Sequence, residues 1–160
     1  MNRRGTMETK GRRSHKVLSD AKLQATTLET GKTLHDYLTQ QPEKFALALS
    51  RVLESANRFS QHKIVYITDK TTGKTHHVGV LHSGHIVDAR GRHRSNDSLY
   101  DGILGKGILE TDLEQVRQLP ITVQEQLEEV EGEDELHDEL RKLQVFIKHD
   151  WLTQSNFYMG

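Results

Sequence analysis

Residues 76–91 read HHVGVLHSGHIVDARG, two short runs rich in β-branched residues broken by Ser83-Gly84. A Ser-Gly pair between such runs marks a two-residue hairpin turn, because glycine takes the positive φ that the turn demands. With Ser83 and Gly84 at the tip, His82 falls opposite His85, Gly79 opposite Asp88 and His77 opposite Arg90. Alternation then puts His77, Gly79, Leu81, Ile86, Asp88 and Arg90 on one face and His76, Val78, Val80, Val87 and Ala89 on the other. A third run, KIVYITD at 63–69, precedes the pair across a turn around Gly73. The centre of the chain is therefore expected to be a three-stranded antiparallel meander.

Outward from the hairpin the period changes to that of helices. Leu34, Tyr37 and Leu38 form a short apolar face, and Pro42 sits where the first turn of a helix tolerates a missing N–H. In PEKFALALSRVLESANRF, residues Phe45, Leu49, Val52, Leu53 and Ala56 recur every three or four positions and predict one core-facing stripe. Beyond Gly91, Ser95 or Asn96 is expected to cap a turn through Tyr100, and Gly102, Gly105 and Gly107 mark a loop. Thr111 is expected to cap a further turn ending before Pro120. Thr122 and Glu125 have the spacing of a capping box for a helix carrying Val123, Leu127 and Val130 to Gly132. Leu136, Leu140, Leu143 and Ile147 make the last stripe.

These elements predict an α+β fold in which N-terminal helices pack on a small antiparallel meander sheet and C-terminal helices follow. Residues 1–30 lack apolar periodicity and read as a basic tail, with a short helical piece around Val17 to Leu23 and order beginning near Thr33. Residues 31–110 read as the α+β core and 111–160 as a C-terminal helical segment.

At 160 residues the chain has room for one domain, and 34% apolar against 28% charged residues implies a modest core. The absence of cysteine excludes disulfides, thiolate zinc sites and a cysteine nucleophile together. No apolar run approaches the roughly 20 residues that cross a bilayer, and no apolar stretch follows the basic start. The cytoplasm is the expected compartment, a host's cytoplasm or the virion if the chain is phage-encoded.

A net charge of -1 conceals two poles. Arg3, Arg4, Lys10, Arg12, Arg13 and Lys16 form a basic arm, and Glu125 to Glu139 an acidic belt without lysine or arginine. Such an arm can meet phosphate backbones nonspecifically, but no aromatic residues interleave for base stacking, and a solvated tail is its ordinary meaning. Protein partners are expected before nucleic acid.

Histidine is the compositional anomaly, with ten in the chain and His76, His77, His82, His85 and His93 close together around Asp88. His77 and Asp88 are diagonal neighbours, a relation that brings Cβ atoms to about 7 Å, with side-chainless Gly79 leaving space for the ring. A carboxylate on one ring nitrogen fixes the tautomer and raises the basicity of the other, as a general base requires. The same spacing also gives a plain cross-strand salt bridge, the commoner outcome. His82, His85 and His93 are candidate ligands for zinc, nickel or copper, although a stable zinc site wants at least three protein ligands. No cofactor is expected, since no glycine-rich phosphate loop follows a strand.

From about Leu38 to Tyr100, the run PEKFALALSRVLES, a strand, and then HHVGVLHSGHIVDARG resembles the core of small papain-like or transglutaminase-like proteins of bacteria and phages. The resemblance implies a catalytic cysteine at the start of the helix and His and Asp on the two following strands, with His77, Asp88 and the Ala89-Arg90-Gly91 tail at the matching places. The nucleophile's place, near Pro42 or Glu43, holds no cysteine, and neither Thr39 nor Ser50 occupies it. What the resemblance implies is a noncatalytic scaffold that acts by protein contact. The competing implication is an amide hydrolase or transferase using His77 and Asp88 with water or an oxygen nucleophile.

Overall fold

The computed structural model describes residues 16–56, 61–102 and 108–158. The chain is an α+β protein built on a five-stranded antiparallel sheet. Helix α1 (Asp20–Ala25) is capped by Ser19, and α2 (Leu34–Thr39) opens with a capping box between Thr33 and Asp36. Leu23 and Leu28 are buried, so packed structure begins upstream of Thr33 and the expected tail does not extend through residues 20–30. Residues Arg3 to Arg13 of the expected basic arm lie outside the described residues.

Helix α3 (Pro42–Ala56) is the central element, as its apolar spacing predicts. Phe45, Leu49, Val52 and Leu53 are buried as expected, while Ala56 at the helix end is exposed. Burial extends well beyond the stripe to Ala46, Leu47, Ala48, Ser50 and even Lys44, because helices close on α3 from several sides.

The sheet comprises β1 (His62–Asp69), β2 (Thr75–His82), β3 (His85–Asp88), β4 (Gly91–Arg92) and β5 (Leu113–Gln118), in the order β4-β3-β2-β1-β5. The β2–β3 register is the expected one, with His82 opposite His85, Leu81 opposite Ile86 and Val80 opposite Val87. Ser83 at φ 51° and Gly84 at φ 79° supply the two positive angles of a type I′ turn. The meander thus exceeds the three expected strands. Residues 113–118, expected within a turn capped by Thr111 and ending before Pro120, instead form β5 against β1, preceded by a 3₁₀ turn at Glu110–Asp112. Its faces are mostly exposed, so it carries little of the apolar alternation by which strands are read.

After Ser95-capped α4 (Asn96–Tyr100), the chain runs through β5 into α5 (Pro120–Glu131) and α6 (Glu133–Phe146), followed by a π-helical turn at Ile147–Trp151. The expected Thr122/Glu125 capping box does not form. Pro120 begins α5 two residues earlier, and the Thr122 hydroxyl donates to the Leu119 carbonyl. Val123 is buried and Val130 is 83% exposed, so the α5 stripe ends before its last member. Leu136, Leu140, Leu143 and Ile147 are all fully buried. No described helix is long and apolar enough to cross a membrane.

Two apolar clusters coat the two faces of the sheet. Ile64, Tyr66, Val78, Val80, Val87 and Ala89 join α3, α6 and Trp151 on one side. Val65, Ile67 and Ile86 join Leu99 and Leu113 on the other. The alternation read from residues 76–91 therefore holds, and it decides which side chains meet which helix.

Candidate functional site

His77 is the Cα partner of Ile67, and Asp88 follows Ile86 by two residues, so both side chains project from the face turned away from α3. They meet there. His77 Nε2 lies 2.9 Å from Asp88 Oδ2, and the two side chains are only 1% and 2% exposed. The space at Gly79 is not taken up by the imidazole ring as expected from sequence. A Cβ on Gly79 would meet Ile86 Cγ2 at 2.8 Å and the Val87 carbonyl at 2.9 Å, so it is β3 that makes the close approach.

Asp88 has other partners that the hairpin pattern did not reveal. Oδ1 accepts from the Arg90 backbone N–H at 2.9 Å, and Oδ2 accepts from Arg90 Nη2 at 2.8 Å. His93 Nε2 also lies 2.9 Å from Oδ2, at ion-pair distance but out of line for a hydrogen bond. Burial opposes a charge on Asp88, yet His93, His77 and Arg90 outweigh it and hold the carboxyl well below its ordinary range. Because a carboxylate only accepts, His77 presents a protonated Nε2 to it. His93 Nδ1 is hydrogen-bonded to the Ser98 hydroxyl, 2.8 Å away.

Arg90 extends this cluster into α4, donating to the carbonyls of Ser98 at 3.1 Å, Leu99 at 2.7 Å and Asp101 at 3.0 Å. Those are the carbonyls at a helix end that has no further turn to satisfy them. The Asp88 cluster consequently joins the β3–β4 turn to the end of α4. Sequence spacing alone could find the His77–Asp88 relation. It missed Arg90 as a side-chain partner because a residue two places along the same chain reaches back only when a tight turn folds it there.

His77 and Asp88 thus face away from α3, whose first turn carries Glu43. Burial raises the carboxyl of Glu43 above its ordinary value. No hydroxyl is hydrogen-bonded to His77 among the described residues. Ser50 is engaged elsewhere, its Oγ 2.9 Å from His62 Nε2 at the start of β1. That pair was not anticipated, since twelve residues and a change of element separate its members. Ser50 is fully buried, and the other nitrogen of His62 is buried with no partner among the described residues, so none of them orients the ring as a third group.

The three candidate metal ligands are not assembled. His93 turns to Asp88, His82 Nδ1 meets Arg92 Nη2 at 2.9 Å, and His85 Nδ1 lies 3.1 Å from the Ser83 carbonyl. Among the described residues, the ligating atoms that come within 4.8 Å of one another belong to Glu128, Glu133 and His137, an exposed group on the α5–α6 corner. It lies in the acidic belt, where surface carboxylates gather without needing an ion.

The rest of that belt is less solvated than its composition suggests. Glu131 and Glu139 turn inward to the ammonium of buried Lys44, Glu139 at 2.8 Å, and Glu139 also accepts from Lys32 at 2.8 Å and from the Tyr37 hydroxyl at 2.5 Å. Burial pushes Glu139 up, but those donors outweigh it and leave the carboxyl below its ordinary value. Burial and the adjacent Glu139 push the Tyr37 hydroxyl up. Comparison of the chain with protein-family models, with curated proteins and with solved structures finds no match.

Proposed function

We propose that the chain is a noncatalytic module of papain-like type that works through protein contacts. The reading is supported above all by the way the Asp88 carboxylate is used. Its oxygens are taken up by His77, Arg90 and the Arg90 backbone, with His93 at ion-pair distance, in a cluster whose side chains are 1 to 6% exposed. A catalytic imidazole needs a nucleophile or water on its free nitrogen and a path for substrate. Here the pair ties the β3–β4 turn to α4 instead.

The order of a helix followed by a His- and Asp-bearing hairpin supports the scaffold half of the reading. A surface suited to contact accompanies it. Strand β5 is an open edge of the sheet, and Val116, Leu119 and Ile121 are exposed along it and its exit into α5.

The test is reaction with a fluorophosphonate probe and turnover of chromogenic amide substrates, for wild type and for His77→Ala. No labelling and no turnover are expected from either protein. Labelling or turnover by wild type that disappears in His77→Ala, or labelling lost in Ser50→Ala, would establish the hydrolase or transferase alternative and end this reading.

A further inference from the structure

A cavity of about 420 Å³ opens at the far end of α3 from the Asp88 cluster. Val52, Leu53, Leu152 and Phe157 supply its apolar lining, and His82 and Arg92, which lie against Phe157, supply polar groups. The volume falls in the range of small-molecule sites, which are mostly apolar with a few fixed polar groups.

Arg92 is the unusual member. Its side chain is buried, at 4% exposure for the residue, and its acceptors are all neutral: the Phe157 carbonyl at 3.0 Å, the His82 carbonyl at 2.8 Å and His82 Nδ1 at 2.9 Å. No carboxylate pairs with it among the described residues. A guanidinium has five N–H groups, and three are used in these bonds. Phe157 lies against the cation, 4.8 Å from ring centroid to guanidinium carbon, and stacks on His82 at 5.3 Å. A buried charge is ordinarily paired, because taking it out of water costs several kcal/mol. Here the charge lacks a counterion and borders a cavity.

We propose that this cavity binds an amphiphilic monoanion, a carboxylate headed toward Arg92 with an aliphatic tail along Val52, Leu53, Leu152 and Phe157. The carboxylate would take the two N–H groups that the protein leaves unused, matching the planar fork that guanidinium presents. The neighbouring imidazole of His82 suits the assignment. Burial and the nearby Arg92 charge hold His82 below its ordinary value, so it serves as a neutral acceptor to Arg92. The site is separate from the Asp88 cluster and stands whether or not the chain is catalytic.

The probe is decanoate, titrated calorimetrically at neutral pH, with decanol as the uncharged control. Saturable one-to-one binding is expected, with decanol weaker by at least about tenfold. Two variants locate it. Ala56→Phe places a ring in the mouth of the cavity from the exposed helix end and leaves Arg92 untouched, and it is expected to weaken decanoate by about tenfold or more. Arg92→Gln is expected to abolish the preference for decanoate over decanol. If Arg92→Gln does not fold, the decanoate-to-decanol ratio in wild type and the Ala56→Phe effect carry the test. Equal affinity for decanoate and decanol, binding unchanged in Ala56→Phe, or no saturable binding at millimolar decanoate would each overturn the proposal.

Discussion

The side-chain amide of Asn156 treats Arg92 as a neighbouring strand would, accepting from its backbone N–H at 2.7 Å and donating to its carbonyl at 2.9 Å. Strand β4 is a two-residue edge, and Asn156 closes it from the C-terminal segment. Both residues are buried. Asn156→Ala leaves a donor and an acceptor unpaired away from water, and the expected loss of stability is about 2–4 kcal/mol. Gly91 belongs to the same contact. Its φ is +128°, and a Cβ there would sit 2.1 Å from Asn156 Oδ1. Gly91→Ala therefore displaces the clamp that Asn156→Ala removes, and the two losses should fall short of additivity in a double-mutant cycle. Urea unfolding followed by the fluorescence of Trp151, the chain's lone tryptophan, measures both.

Asp88 sets an acid limit on stability. Its folded carboxyl lies well below the ordinary value, held there against burial by His93, His77 and Arg90. A depressed folded pKa gives stability that is fully present above the unfolded value, near 4 for aspartate, and is lost as pH falls through the folded value. Asp88→Asn should cost about 3–5 kcal/mol at pH 7, because it takes the counter-charge from the buried Arg90 guanidinium and from the His77 Nε2 donor. It should also flatten the dependence of unfolding free energy on pH below about 4. An unchanged acid limb in Asp88→Asn would place that dependence elsewhere.

These two relations differ in how far the sequence discloses them. The period-two alternation of residues 76–91, with Ser83-Gly84 at the tip, is enough to put His77 beside Asp88, and the turn angles and register agree. Nothing local to Arg92 points to Asn156, which lies 64 residues away. The same holds for the buried ammonium of Lys44, on the polar side of an otherwise apolar helix, whose acids come from the belt that composition alone reads as solvated. Strand β5 escaped notice for a different reason. It is an edge with exposed faces, and its pairing with β1 is a long-range backbone contact that hydrophobic period does not encode.

Lys44 and Glu139 should behave as a coupled pair. Burial disfavours the ammonium, but Glu131 and Glu139 outweigh it and raise its pKa. Lys44→Met removes the cation from between two acids, and the expected cost is about 3 kcal/mol. Glu139→Leu should cost a similar amount, since Lys32, Tyr37 and Lys44 all lose an acceptor. The double variant replaces the pair with apolar groups at the α3–α6 contact and is expected to recover at least about 1 kcal/mol relative to the sum. Simple additivity of the two losses, read from urea midpoints at constant m, would show that Lys44 and Glu139 act independently.

Gly79 offers a test of the close approach between β2 and β3 that leaves the charged cluster untouched. Its backbone angle is not in the left-handed region, so a substitution there is opposed by contact alone. The obstructing atoms are Ile86 Cγ2 at 2.8 Å and the Val87 carbonyl oxygen at 2.9 Å. The first is a branched side chain with little freedom to turn aside, and the second is backbone held in the ladder opposite Val80. Gly79→Ala should therefore overpack the sheet and cost about 1–3 kcal/mol. Ile86→Ala removes the obstructing methyl but not the carbonyl, so in the Gly79→Ala background its own penalty should shrink without reaching zero. Full rescue would mean that the methyl alone excludes a side chain at position 79, and no rescue would mean that the carbonyl does.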